Sequence, residues 1–364
     1  MKKNGAVTTF STETGVPIKG IKIHFLTWFY WGHTYTDENG YYEAHESYLL
    51  DPIHTIYFSG QTKDKQNSWD LDRVWLWGSC LWVQKHCLGE QSKDNYDATI
   101  GIISDAWEAC ITNNAFYEYM TICDKEGLTR PPSHLQVALR EKGGASSAPL
   151  FQNHTNYYTS SLLAGFFTSI FFTDGAGVLA TAAYIAFLNS LPDILISGGN
   201  LNENKGKSDS ERKAALNGFY STIWHELTHA SHFQRVRNEK GYGYASDYWN
   251  GVISTEVGHS ITSLGDDYYG TKGDSNWQQI ALVEGWAHFI QRKIAESYLK
   301  QNITKNGFPW NYRLMYNQLN NIGCSLNHIE KCLTEKSLTS YSDRLVQIHP
   351  LLQTQIENII NTYK

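Results

Sequence analysis

The stretch WHELTHASHF, Trp224–Phe233, decides how this chain reads. Within it His225, Glu226 and His229 have the spacing H-E-x-x-H, and the first question is whether they share a helix. Ala215, Phe219, Ile223 and Leu227 recur at helical spacing, and Ser208 with Glu211 three residues later has the spacing of a capping box. A helix from about 208 to about 236 follows. On a helix, residues i and i+4 lie one above the other, so both imidazoles can reach one ion while Glu226 borders the same point. Zinc suits that donor set, because it takes neutral imidazole and carboxylate in a tetrahedral shell and keeps a position open for water. With 14 histidines in 364 residues, chance would place this motif on the order of 0.03 times, so coincidence is a weak competitor.

A third protein ligand is needed. A second strong helix is expected from Ser275, with Gln278 in the capping position, to near Lys300; it carries Ile280, Val283, Trp286, Ala287, Ile290 and Ile294. Inside it lies LVEGWAHF, Leu282–Phe289, with Glu284 among apolar residues. Glu256, in STEVGHS, is the alternative with the shorter spacing, and Glu284 is preferred because it alone stands in a helical motif. His232 shares a face with the two histidines but lies about 10 Å along the helix from His225, which makes it a packing or supporting group rather than a ligand. A metzincin pattern is excluded: it needs Gly at 232 and His at 235, where this chain has His232 and Arg235, and no methionine occurs between Met120 and Met315.

On His225, Glu226, His229 and the later Glu284, Gly285 and Ala287, the chain resembles the gluzincins, the thermolysin-like and aminopeptidase-like zinc peptidases. The resemblance implies that His225, His229 and Glu284 hold Zn2+, that Glu226 is the general base, and that a peptide or protein substrate is hydrolysed. It also implies a Tyr or His that stabilises the oxyanion. Tyr244 and His259 are the candidates taken for that role from the Gly-, Tyr- and Asp-rich stretch expected to loop between the two helices, which also holds Tyr242, Tyr248, Tyr268 and Tyr269. Two departures stand out. The 54 residues from 230 to 283 are a longer separation than is usual in that clan, and His288 occupies the place where thermolysin-like members have an aspartate supporting a zinc histidine. DILISGG, Asp193–Gly199, reads as a strand. It resembles the edge strand on which such peptidases bind an extended substrate, with Leu195 to Gly199 facing it, or it simply completes a sheet.

The first 60 residues have a different period. Ile18, Ile21, Ile23 and Phe25 largely alternate with polar neighbours, Asn39-Gly40 in TDENGYY marks a reversal, and HTIYFSG, His54–Gly60, alternates again. A polar stretch from Gln61 to Ser68 suggests a boundary near residue 65. TGVPIKGIKI followed by TDENGYY resembles the transthyretin-like or carboxypeptidase-regulatory-like β-sandwich of bacterial secreted and surface proteins, which implies an extracytoplasmic location. Beyond the boundary, Trp69–Cys87 and Thr99–Cys123 are expected to be amphipathic helices.

Composition narrows the function classes. The chain is 41% hydrophobic and 18% charged, which belongs to a folded protein, and a net charge of -6 without a basic run offers no electrostatic footprint for nucleic acid or an anionic membrane. Six cysteines without C-x-x-C indicate neither a redox motif nor a zinc knuckle and allow disulfides or buried thiols. Leu162–Leu191 is apolar, but Asp174 and three glycines argue against a membrane span. Residues 1–20 lack an apolar signal core, so surface anchoring would depend on a signal outside them. The expected architecture is α+β: a small antiparallel β-sandwich (1–65) followed by a mainly helical zincin-like metallopeptidase domain (66–364). The rival from another class is a surface protein binding glycan or a host protein, with a structural or vestigial zinc site.

Overall fold

The structure is a computed structural model that describes residues 4–10, 15–44, 50–73, 83–90, 96–140, 146–150, 192–262, 273–274, 276–300 and 312–364. It is a mixed α+β protein, with sheets toward the N-terminus and a mostly helical C-terminal part. Contacts divide it into two compact units: residues 1–120, 133–147 and 185–223, and residues 121–132, 148–184 and 224–364.

The first unit holds the strands. In chain order they are β1 (Asn4–Phe10), β2 (Gly15–Pro17), β3 (Ile21–Leu26), β4 (Trp31–Tyr35), β5 (Tyr41–Glu43), β6 (Ile53–Gln61), β7 (Ser68–Arg73), β8 (Lys85–Glu90), β9 (Ala98–Ile100), β10 (Leu135–Arg140) and β11 (Ile194–Ser197). One sheet runs β2-β1-β5, with β9 also on β1; the other runs β11-β10-β7-β6-β3-β4, with β8 also on β6. The alternation expected in β3 and β6 is present: Ile21, Ile23, Phe25, Ile56 and Phe58 are buried, their neighbours less so. The reversal at Asn39-Gly40 also forms, tied by the Asp37 carboxylate accepting from the Asn39 and Tyr41 N–H groups. It does not close a two-stranded hairpin, however, because β4 pairs with β3 and β5 with β1. The turn carries the chain from one sheet to the other, and Tyr42 of β5 packs its ring against Phe25 and His54.

Two expectations fail here. The chain does not divide near residue 65, since β6 and β7 pair antiparallel across it, with Gly60 opposite Trp69; the polar stretch is the turn of a hairpin, and polar turn residues cannot be told from a linker by composition. Nor are the described ends of Trp69–Cys87 helical: they belong to β7 and β8, and Trp69 and Leu71 are buried at a period of two. Residues 74–82, which carry most of the supposed helical stripe, lie outside the described residues. The second expected helix exists but starts later, as α1 (Trp107–Glu126), because Ala98–Ile100 is claimed by β1.

Beyond α1 the helices are α2 (Gly199–Glu203), α3 (Asp209–Lys240), α4 (Tyr242–Thr262), α5 (Trp277–Ile294), α6 (Tyr312–Asn321), α7 (Leu326–Cys332), α8 (Leu338–Ile348) and α9 (Gln353–Asn361). The capping box of α3 forms as its spacing requires, with Glu211 accepting from the Ser208 N–H at 3.1 Å. Gly241, at φ +85°, separates α3 from α4; a side chain there would resist the left-handed turn. The second unit packs Trp224, Trp286, Tyr248, Tyr316 and Tyr341 as fully buried side chains. No described helix is long and apolar enough to cross a membrane, and Leu162–Leu191 lies outside the described residues. Among the described residues no disulfide forms; Cys110, Cys123, Cys324 and Cys332 are buried thiols.

Candidate metal centre

Three side chains converge where the sequence places them. His225 and His229 stand one turn apart on α3, and their Nε2 atoms are 3.0 Å apart. Glu284, on α5, brings Oε1 to 3.1 Å from His229 Nε2 and Oε2 to 3.4 Å from His225 Nε2. These atoms fall within 4.8 Å of one another, as a group that could hold a metal ion, and no other set of three His, Cys, Asp or Glu residues among the described residues does so. Glu284 and His229 are buried.

Glu284 reaches this point because Gly285 lets its helix sit deep. A Cβ on Gly285 would meet Tyr312 Cβ at 2.7 Å, so only glycine allows α6 to approach α5 this closely. Tyr316 of α6 then donates to the Leu282 carbonyl at 2.8 Å. Gln278 does not cap its own helix; its side-chain oxygen accepts from the Leu338 N–H at the start of α8, and Ser275 lies outside the described residues. Gln279 donates to the Tyr248 carbonyl at 2.7 Å and fixes α5 to α4.

The protonation pattern tests whether a cation fits. Gln291, two turns beyond Glu284 on α5, presents Oε1 at 3.2 Å to Nδ1 of His225 and at 3.2 Å to Nδ1 of His288. An amide oxygen only accepts, so both Nδ1 atoms carry hydrogen. Burial, with the charge of His225 beside it, holds His288 down at about 4, so this ring is neutral near pH 7. With Nδ1–H committed to Gln291, His225 in its neutral form turns the Nε2 lone pair toward Glu284 Oε2, 3.4 Å away. Two facing acceptors call for a positive charge between them, which either a proton on the imidazole or a metal ion supplies. The electrostatics agree: burial pushes the Glu284 carboxyl up, yet the charges and hydrogen bonds of His229 and His225 outweigh it and hold Glu284 well below the usual carboxylate range. Burial likewise pushes His225 down, but the bond to Glu284 and the charges of Glu284 and Glu226 raise it. A carboxylate facing two imidazole nitrogens is a group that could hold a metal ion, and the donor set is one that zinc accepts.

Glu226 borders the group. It is buried, and burial raises its proton affinity; the charges of His225 and His229 oppose that rise and Glu284 adds to it. Trp249 of α4 walls the other side, its ring 5.9 Å from His229, with its indole N–H donated to the Ala148 carbonyl at 3.2 Å.

The remaining candidates sit elsewhere or lie beyond description. His232 gives Nε2–H to the Leu333 carbonyl at 2.8 Å and packs on Tyr248 and Trp249, the packing role that its spacing implies. Tyr244 donates to the Thr334 carbonyl at 3.1 Å and lies under Lys336; its contacts are not with the three converging residues. The supposed loop is largely helix α4, stabilised by a stripe of Ala245, Tyr248, Trp249 and Val252 at helical spacing. Glu256 and His259 therefore ride on a helix, but their side chains, and residues Tyr268 and Tyr269, lie outside the described residues. DILISGG does form a strand, β11, parallel to β10. Its outer edge is not open at Leu195, which exchanges both backbone hydrogen bonds with Ser147, so at that residue the chain itself takes the place foreseen for a substrate.

Gln291 and Trp249 are the site residues the sequence did not disclose. Gln291 follows Glu284 by seven positions, the period of one helix face, which is the one signal that could have found it. Comparison with protein-family models, with curated proteins and with solved structures gives no match, so the site speaks through its own residues alone.

Proposed function

We propose that the protein is a zinc-dependent peptidase of gluzincin type, with an N-terminal β-sandwich of transthyretin-like kind, acting on peptide or protein outside the cytoplasm. The observation that carries this reading is the convergence of His225, His229 and Glu284 from two helices with a buried Glu226 at their edge. His225, His229 and Glu284 would hold the ion. Zinc in such a site supplies a Lewis acid and lowers the pKa of a coordinated water to about 7. Glu226 would take a proton and return it to a leaving amine, and the rise in its proton affinity caused by burial supports that role. An intact Glu226 argues against the binding-protein reading, because a site that only holds metal has no use for a base beside it.

Elemental analysis of zinc per chain, together with cleavage of a peptide library, tests the reading. About one zinc per wild-type chain is expected, with marked loss in Glu284→Ala. Glu226→Gln should keep its zinc and lose about 10²–10⁴-fold in kcat/KM. A wild type that takes up no zinc on supplementation, or a Glu226→Gln variant that cleaves normally, would overturn it.

A further inference from the structure

The hairpin joining β3 and β4 carries LTWFYW, Leu26–Trp31, and exposes its largest side chains: Trp28 is 89% exposed, Phe29 95%, Trp31 68% and Leu26 53%. Cross-strand register extends the patch, for Leu26 stands between Trp31 and Ile53 in one row, Ile53 is 40% exposed, and the row ends at Glu90 of β8, opposite Ile53 and farthest from the tip. Scattered surface apolars need no explanation, but contiguous ones mark an interaction site.

Two features identify the partner. First, the two ends of the tip are tied to each other: Thr27 donates its N–H to the Tyr30 carbonyl at 2.8 Å, and the Thr27 hydroxyl both donates to that carbonyl and accepts from the Tyr30 N–H. Such pairing lowers the cost of carrying these groups toward a medium poor in hydrogen bonds, and at the headgroup boundary water and lipid can meet the rest. Second, chemistry is graded along the outer face of the sheet. Behind the apolar row comes the row of His33 and His24, stacked with centroids 5.5 Å apart. Behind that stands the row Tyr35, Lys22, Tyr57 and Lys85, with Lys85 Nζ 4.5 Å above the Tyr57 ring. From the apolar row to the lysine row is four residues, about 13 Å of strand. No Asp, Glu, Lys or Arg occurs from Ile23 to Thr36.

We propose that this tip is an interfacial membrane anchor: Leu26–Trp31 seats in the boundary between acyl chains and headgroups of a phospholipid bilayer, with Lys22 and Lys85 meeting the lipid phosphates. An apolar end, an aromatic and imidazole belt and a cationic base in that order match the layers of a bilayer surface. A convex tip of this kind fits a fluid phase, whereas a protein partner would need a groove cut to receive it. Apolar burial supplies the attraction, consistent with a chain whose net charge is negative; the lysines set depth and orientation.

The test is co-sedimentation of the full chain with vesicles of phosphatidylcholine alone and of phosphatidylcholine containing one third phosphatidylglycerol. Partition to both is expected, surviving half-molar salt, with at least a tenfold loss in Trp28→Ser/Phe29→Ser, because each large side chain withdrawn from the apolar phase costs about tenfold or more. Lys22→Glu/Lys85→Glu should weaken partition several-fold, more on the vesicles containing phosphatidylglycerol. Trp28 and Phe29 are nearly fully exposed, so their replacement should leave the thermal melt and the zinc content at wild-type values, which separates this test from that of the metal centre. No partition into either vesicle at millimolar lipid, or equal partition by wild type and the tip variant, overturns the proposal; so does a tip-dependent complex with a soluble protein or glycan formed without affinity for lipid.

Discussion

At the scale of the residue, one amide oxygen organises the metal centre. Gln291 accepts from His225 and His288 together, and in doing so it directs the lone pair of His225 Nε2 toward Glu284. His288 stands four residues after Glu284, and the acceptor that serves both His225 and His288 stands one turn further on, at Gln291. A neutral amide fixes the tautomer as a carboxylate would, without adding a second negative charge beside Glu284. Gln291→Leu, which keeps the bulk and removes the acceptor, should therefore weaken zinc binding by about 10- to 100-fold, measured by competition with a chromophoric chelator. Gln291→Glu should restore or exceed wild-type affinity, since the acceptor returns with added charge. Unchanged affinity in the leucine variant would mean that the His225 tautomer is set otherwise. The convergence of His225, His229 and Glu284 was legible because H-E-x-x-H is a local pattern on one helix and the apolar helix around Glu284 could be read beside it. Gln291 belongs to no motif, and a support defined by what it touches becomes visible when α3 and α5 are packed together.

At the scale of the element, Gly285 shows why the glutamate ligand is followed by glycine. Alanine in the middle of a helix normally gains up to about 1 kcal/mol over glycine. At this position the new Cβ would stand 2.7 Å from Tyr312 Cβ, an atom fixed to the α6 backbone that cannot swing away. Overpacking of that kind costs about 1–3 kcal/mol, so the clash should win and Gly285→Ala should be net destabilising by about 1–2 kcal/mol in chemical denaturation, with zinc affinity falling as α5 is displaced. A stabilised variant with intact zinc binding would show that α6 yields freely. Element-level legibility was uneven for a physical reason. Helix α3 announced itself through a capping box and a clean stripe, and β3 and β6 through alternation. Helix α4 was hidden, although Ala245, Tyr248, Trp249 and Val252 have helical spacing, because glycine, tyrosine and aspartate between them carry turn propensity that tertiary burial overrides. The described ends of the stretch from Trp69 failed in the opposite direction, since β7 finds its parallel partner β10 more than 60 residues further along the chain.

At the scale of the whole molecule, long-range pairings are what composition conceals. The parallel ladders of β10 with β7 and β11 join residues far apart in sequence, so a boundary near residue 65 was inferred where the sheet in fact continues. Another such tie is Glu330, on α7, whose carboxylate accepts from the Thr129 N–H at 3.0 Å and from its hydroxyl at 2.9 Å, across 201 residues of chain. The carboxyl is 1% exposed, and burial, only partly offset by the two Thr129 bonds, pushes it up to about 7. The sign follows from linkage. The folded state holds this proton more tightly than the unfolded chain, whose carboxyl titrates near its ordinary value of 4.5. Its contribution to stability is therefore complete below pH 4.5 and declines as pH rises through 7, by up to about 3 kcal/mol in all. Glu330→Gln keeps an acceptor for Thr129 and cannot ionise. Urea denaturation of the two proteins should thus give a difference that grows in favour of the variant between pH 5 and pH 8, and then levels off. A constant difference across that range would mean that Glu330 ionises in the folded protein as readily as in water, and that its link to Thr129 stabilises the charged form rather than tolerating the neutral one.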